Sequence, residues 1–117
     1  MYMAPLFSGS SGNSILIEAA GTRLLIDAGK PAKTIEEGLS SFGLSLKDID
    51  ALLITHEHTD HIAGAGVLAR KYKIPVYANS STWRAMEMNI GNVPAGCRRE
   101  FETGRDFYIG NVNILPF

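Results

Sequence analysis

The spacing of apolar positions along the chain switches between a period near two and a period of three to four. Two short apolar runs, Ser14 to Ala19 and Thr22 to Asp27, flank Ala20 and Gly21 and predict a β-hairpin. Ile35, Leu39 and Phe42 then recur at i, i+4 and i+7. They lie between Pro31, acceptable in a first helical turn, and Gly43, a natural stop, and predict an amphipathic helix. Ser45 to Asp48, SLKD, has the spacing of a helix cap followed by an acid, and Ala51 to Thr55, ALLIT, is short and apolar enough for a buried strand. Ile62 to Tyr72 favours helix and Pro75 to Ala78 favours strand. From Ser80 to Ile90 a serine cap precedes Trp83, Met86 and Ile90 on one helical face. Near the end, Gly110 and Asn111 separate two further β-type runs. Alternation of this kind predicts a layered α/β structure, with residues 1–117 forming a single domain.

Composition narrows the functional classes. No apolar run approaches the ~18 residues needed to span a bilayer, so no membrane role is expected. The opening MYMAPLFSGSSGNS lacks the basic and apolar regions of a secretory signal, and the single Cys97 excludes an internal disulfide. Together these lead to the expectation of a cytoplasmic protein. Eleven basic against twelve acidic residues leave a net charge of −1, which gives no global footprint for nucleic acid. A polyanion would have to be held locally. The basic groups at 70–73 (RKYK) and at Arg98-Arg99 read first as solvated faces.

All three histidines fall in one stretch, THEHTDH, at positions 56, 58 and 61. The stretch lies between the strand expected at 51–55 and the helix expected from Ile62, so a strand fixes its origin and a helix its exit. Two histidines at i, i+2 on a tight turn can grip one cation, and Asp60 with His61 at the helix start can face a second. Neutral imidazole and carboxylate suit zinc, manganese or iron. The plainer reading, three solvated or capping histidines, has to accept their confinement to six residues as chance. Glu57 and Thr59 alternate with the donors and are expected to point away. The spacing is not the His-Glu-x-x-His of helical zinc sites.

THEHTDH resembles the Thr-His-x-His-x-Asp-His signature of the metallo-β-lactamase fold superfamily, whose members are mostly metal-dependent hydrolases. LLIDAG resembles that superfamily's upstream Asp-containing strand end. SGSSGNS, GVLARKYKIPVYAN and TWRAME resemble its WalJ/YycJ-like branch of exonuclease-type phosphodiesterases. The resemblance covers almost the whole chain. It implies the N-terminal half of an αββα sandwich, a mixed β-sheet with helices on one face, in a truncated domain. It further implies two divalent metal ions, zinc first and manganese or iron as alternatives. His56 and His58 would ligate the first and Asp60 and His61 the second, with Asp60 also the candidate catalytic residue. The further ligands of such enzymes lie downstream of a strand like NVNILPF, and the sequence ends at Phe117.

Asp27 closes a strand and could be a ligand, a general base or a brace. A brace for the loop 56–61 is preferred, with Thr55 sharing that task. Ser10, Ser11 and Asn13 are candidate substrate contacts, because consecutive small residues can form a backbone concavity for phosphate. Cys97 has no histidine nearby in sequence and reads as a small packed residue. The functional expectation is therefore a dinuclear-metal phosphodiesterase or exonuclease acting on nucleic acid through activated water. Two alternatives stand beside it. One is a non-catalytic half-domain that binds metal or pairs as a homodimer through the sheet face that a second half would cover. The other is hydrolysis of a thioester, lactone or β-lactam.

Overall fold

The computed structural model describes residues 1–8 and 12–116, so the candidate contacts Ser10 and Ser11 lie outside the described residues. Six strands form one mixed sheet: β1 (Tyr2–Phe7), β2 (Ser14–Ala19), β3 (Thr22–Ile26), β4 (Ala51–Leu53), β5 (Val76–Ala78) and β6 (Arg98–Glu100). They lie side by side in chain order, with β1, β2 and β3 antiparallel and β3 to β6 parallel. The predicted hairpin is β2–β3, in register from Ile15 opposite Ile26 to Ala19 opposite Thr22. Ala20 and Gly21 both take positive φ, 50° and 77°, as a two-residue hairpin loop requires.

Side chains alternate across the sheet, and each face has its own cover. Leu16, Leu25, Leu52 and Val76 point to the face carrying α1 (Ala32–Ser40), α3 (Ala65–Tyr72) and α4 (Ser80–Ile90), where they join Ile35, Leu39, Leu68, Trp83 and Met86 in the main core. Leu24, Ala51 and Leu53 point to the other face, which is packed by the hairpin β7 (Phe107–Ile109) and β8 (Val112–Ile114) through Ile109, Phe107, Val112 and Ile114. All three residues of β4 are buried, as expected of a central parallel strand covered on both sides. The mixed sheet and the one-sided helices agree with the sequence reading.

Several local expectations are corrected. Phe42 is not on the buried face of α1: it lies beyond the helix, 38% exposed, edge-on to Tyr2 at 5.9 Å. The cap of α4 is Asn79, whose side chain accepts from the Thr82 N–H at 2.8 Å, rather than a serine. The helix expected over 62–72 is two helices, α2 (Thr59–Ile62) and α3. They divide at Gly64, whose N–H donates to the Ala28 carbonyl at 2.8 Å. A Cβ there would meet the Lys30 carbonyl oxygen at 2.4 Å, so the chain bends to follow the turn at 28–30.

Candidate metal centre

The histidine stretch leaves the carboxyl end of β4, beside the carboxyl end of β3, the edge at which parallel sheets of α/β proteins place ligands. Asp27 is the first residue after β3. Its N–H continues the ladder by donating to the Leu53 carbonyl at 2.7 Å, and its φ of 67° is a left-handed conformation that Asp tolerates better than most residues. This conformation directs a buried carboxylate at the loop. Oδ1 accepts the Thr55 backbone N–H at 2.7 Å, and Oδ2 accepts the Thr55 hydroxyl at 2.6 Å and contacts His61 Nδ1 at 2.6 Å.

These contacts determine which ring nitrogens are free. An ionised carboxylate only accepts, so His61 Nδ1 is the donor, and in the neutral ring the lone pair lies on Nε2. The Thr55 hydroxyl proton is committed to Asp27, so the 2.9 Å contact from Thr55 Oγ1 to His56 Nδ1 is an Nδ1–H donation that frees Nε2 of His56 as well. His61 Nε2 lies 3.5 Å from Asp60 Oδ2. Two acceptors face one another there, an arrangement suited to a cation between them.

The rings of His56 and His61 are 4.9 Å apart and those of His56 and His58 are 6.0 Å apart. The His58 side chain is 69% exposed, and the Glu57 carboxylate lies 3.8 Å from its Nε2, so Glu57 is turned toward a candidate donor rather than away from it as expected. The four candidates share one loop, in which His56 lies nearer His61 than His58. Among the described residues no group of three or more His, Cys, Asp or Glu side chains is gathered for a single ion. Imidazole and carboxylate donors of this kind suit a divalent cation.

Asn13 meets the site in a way the sequence reading did not anticipate. Its side-chain amide Nδ2 lies 3.2 Å from Asp60 Oδ2 and 3.2 Å from the Asp60 carbonyl, so it contacts a metal candidate. Gly29 was missed altogether, although a glycine directly after a strand-ending Asp-Ala is a signal for close backbone approach. A hollow of about 360 Å³ adjoins His56, lined among others by Ile26, Leu53, Asn79, Phe101 and Thr103. A second hollow, about 410 Å³, includes none of the histidines and sets Glu100, Glu102 and Asp106 against Arg105, a poor match for phosphate.

The arginines of the basic groups are engaged structurally. Arg70 donates to the carbonyls of Ile90 and Asn92 at 2.7 Å each, capping the end of α4. Arg98 lies over the Trp83 ring at 4.7 Å, and its bonds to Glu100 and Glu87 raise the guanidinium pKa above its already high ordinary value. Cys97 is buried, its Sγ 3.9 Å from the Ala69 carbonyl.

The family model of the metallo-beta-lactamase superfamily matches residues 8–114. Exodeoxyribonuclease YycJ of Bacillus anthracis is 42% identical over 117 residues, covering all of this chain and 44% of that protein. Exodeoxyribonuclease WalJ of Streptococcus pneumoniae serotype 2 is 46% identical over 114 residues, covering 96% of this chain and 42% of that protein. Among solved structures, the subclass B3 metallo-beta-lactamase MEM-A1 from a soil metagenome library superposes with a TM-score of 0.72 at 24% identity, over 95% of this chain and 47% of that one. The chain thus spans less than half the length of the curated relatives it matches.

Proposed function

The chain belongs to the metallo-beta-lactamase superfamily, and from that premise we propose that it carries the histidine-rich part of a divalent-metal-dependent phosphodiesterase acting on nucleic acid. His56 and His58 hold one cation, Asp60 and His61 the other, with zinc the first candidate. The chemistry such cations supply is Lewis acidity toward a phosphoryl oxygen and a water pKa lowered toward neutrality. The residues of this chain prepare the site. Asp27 holds the proton of His61 on Nδ1 and, through the Thr55 hydroxyl, that of His56 on Nδ1, so both Nε2 lone pairs are available before any cation arrives. Asp60, as an anion, supplies charge and serves as the catalytic carboxylate.

The observation that carries this reading is the Asp27 carboxylate joined to both Thr55 and His61, the kind of outer hydrogen bonding that supports metal ligands. Nucleic acid is favoured over thioester, lactone or β-lactam substrates by the exodeoxyribonuclease names of the relatives above. Ser10 and Ser11 remain proposed phosphate contacts, while the partner seen for Asn13 favours a different role. The site is proposed to work inside the cell, in keeping with a nucleic acid substrate.

The test is metal analysis of the purified chain together with cleavage of end-labelled DNA and RNA strands, with and without chelator. Cleavage that survives complete chelation, or turnover of a lactone or thioester well above that of nucleic acid, sinks the proposal. Two donors per cation favour a second reading in which the chain binds metal without turnover. Stoichiometric metal with no chelator-sensitive cleavage selects it.

A further inference from the structure

We propose that Asn13 is a positioning residue for Asp60, its side-chain amide setting the carboxylate in the orientation from which Asp60 and His61 can share a cation. This rests on the metal-centre reading above. The backbone of Asn13 is anchored first: its N–H donates to the Asp60 carbonyl and its own carbonyl accepts the Gly29 N–H, both at 2.8 Å. Residue 13 therefore has no freedom to drift from the ligand it addresses. From that anchor Nδ2 lies 3.2 Å from Asp60 Oδ2 and 3.2 Å from the Asp60 carbonyl, and one carboxamide has two N–H groups to serve both.

Oδ2 is also the oxygen 3.5 Å from His61 Nε2. Each carboxylate oxygen offers two lone-pair sites. An amide that occupies one leaves the other to face a cation. The constraint matters because the Asp60 side chain, 31% exposed in the first turn of a short helix, could otherwise turn toward water. His61 is held from behind by Asp27 at 2.6 Å, so Asn13 and Asp27 act on the two members of one donor pair from separate loops. Outer partners of this kind typically contribute about 10 to 100-fold in metal affinity or activity.

The experiment titrates the whole chain with Co²⁺, following its visible absorption, in wild type, Asn13→Ala, Asp60→Asn and the double variant. Asn13→Ala is expected to weaken Co²⁺ binding about 10 to 100-fold and to alter the absorption band. In the Asp60→Asn background it should add no further loss, because the two residues act as one unit. Unchanged affinity in Asn13→Ala, or losses that simply add, overturns the proposal. A wild type that binds no Co²⁺ ends the metal-centre reading and this inference with it, whereas wild-type binding untouched by Asn13→Ala ends this inference alone. A metal-free measurement covers variants at position 13 that fail to fold. The Asn13 side-chain ¹H–¹⁵N resonances are expected to shift in Asp60→Asn, and resonances that stay in place overturn the proposal.

Discussion

The carbonyl oxygen of Asp60 stands 1.9 Å from the point that a β-carbon on Gly29 would occupy. The turn after β3 and the histidine loop after β4 are thus in backbone contact, with Asn13 N 2.4 Å from the same point. Neither obstacle is the flexible end of a side chain, so relief requires the loops to part. Gly29→Ala is expected to cost about 2–4 kcal/mol of stability, at the upper end of overpacking effects. Thermal unfolding of the metal-free variant checks this, and a melting temperature equal to wild type contradicts it.

Asp27→Asn keeps a side chain that tolerates the left-handed conformation but replaces one carboxylate oxygen by a donor. It cannot accept the Thr55 N–H, the Thr55 hydroxyl and His61 Nδ1 together. Metal affinity is expected to fall about 10 to 100-fold with stoichiometry unchanged, because no ligand is lost. Calorimetric titration with Zn²⁺ measures both quantities. A lost equivalent of metal would show that Asp27 is itself a ligand.

Thr55→Val removes the hydroxyl that links Asp27 to His56 while retaining shape. About 1–3 kcal/mol of stability is expected to go with the under-bonded carboxylate, and the Nδ1–H form of His56 loses its preference over the Nε2–H form. Thr55→Ser should restore both. The readout is the pair of ¹⁵N imidazole shifts of His56 at a pH where the ring is neutral. Identical shifts in wild type and Thr55→Val would contradict the relay.

The sheet face through which the sequence reading paired two copies is covered at Leu24, Ala51 and Leu53 by β7–β8, so the surface presented on that side is the outer layer of the hairpin. Tyr108 is 67% exposed on that outer layer and Leu115, just beyond β8, is 58% exposed. The chain is expected to self-associate with concentration in sedimentation velocity. A monodisperse monomer at every concentration contradicts this expectation.

Local pattern determined a great deal. The hairpin at β2–β3, the buried strand β4, the face of α4 carrying Trp83, Met86 and Ile90, and the hairpin at Gly110-Asn111 all follow from apolar period and turn residues, which act over a few positions. The strand-to-helix placement of His56, His58, Asp60 and His61 was legible for the same reason. Strand β6 was not, since Arg98, Arg99 and Glu100 have no apolar pattern. Its pairing comes from the parallel register with β5, and the Trp83 indole anchors it by donating to the Arg99 carbonyl at 2.6 Å. The division between α2 and α3 was equally hidden, because it depends on contact with residues 28–30, whereas the cap of α4 was a local choice between Asn79 and the serine that follows it. Only the tertiary structure decided how the candidate donors are held. Asp27 is separated from His61 by 34 positions and Asn13 from Asp60 by 47, and no local periodicity encodes which ring nitrogen bears the proton or which carboxylate oxygen is engaged. Those choices depend on hydrogen-bond directions that exist only after the sheet has brought the ends of β3 and β4 side by side.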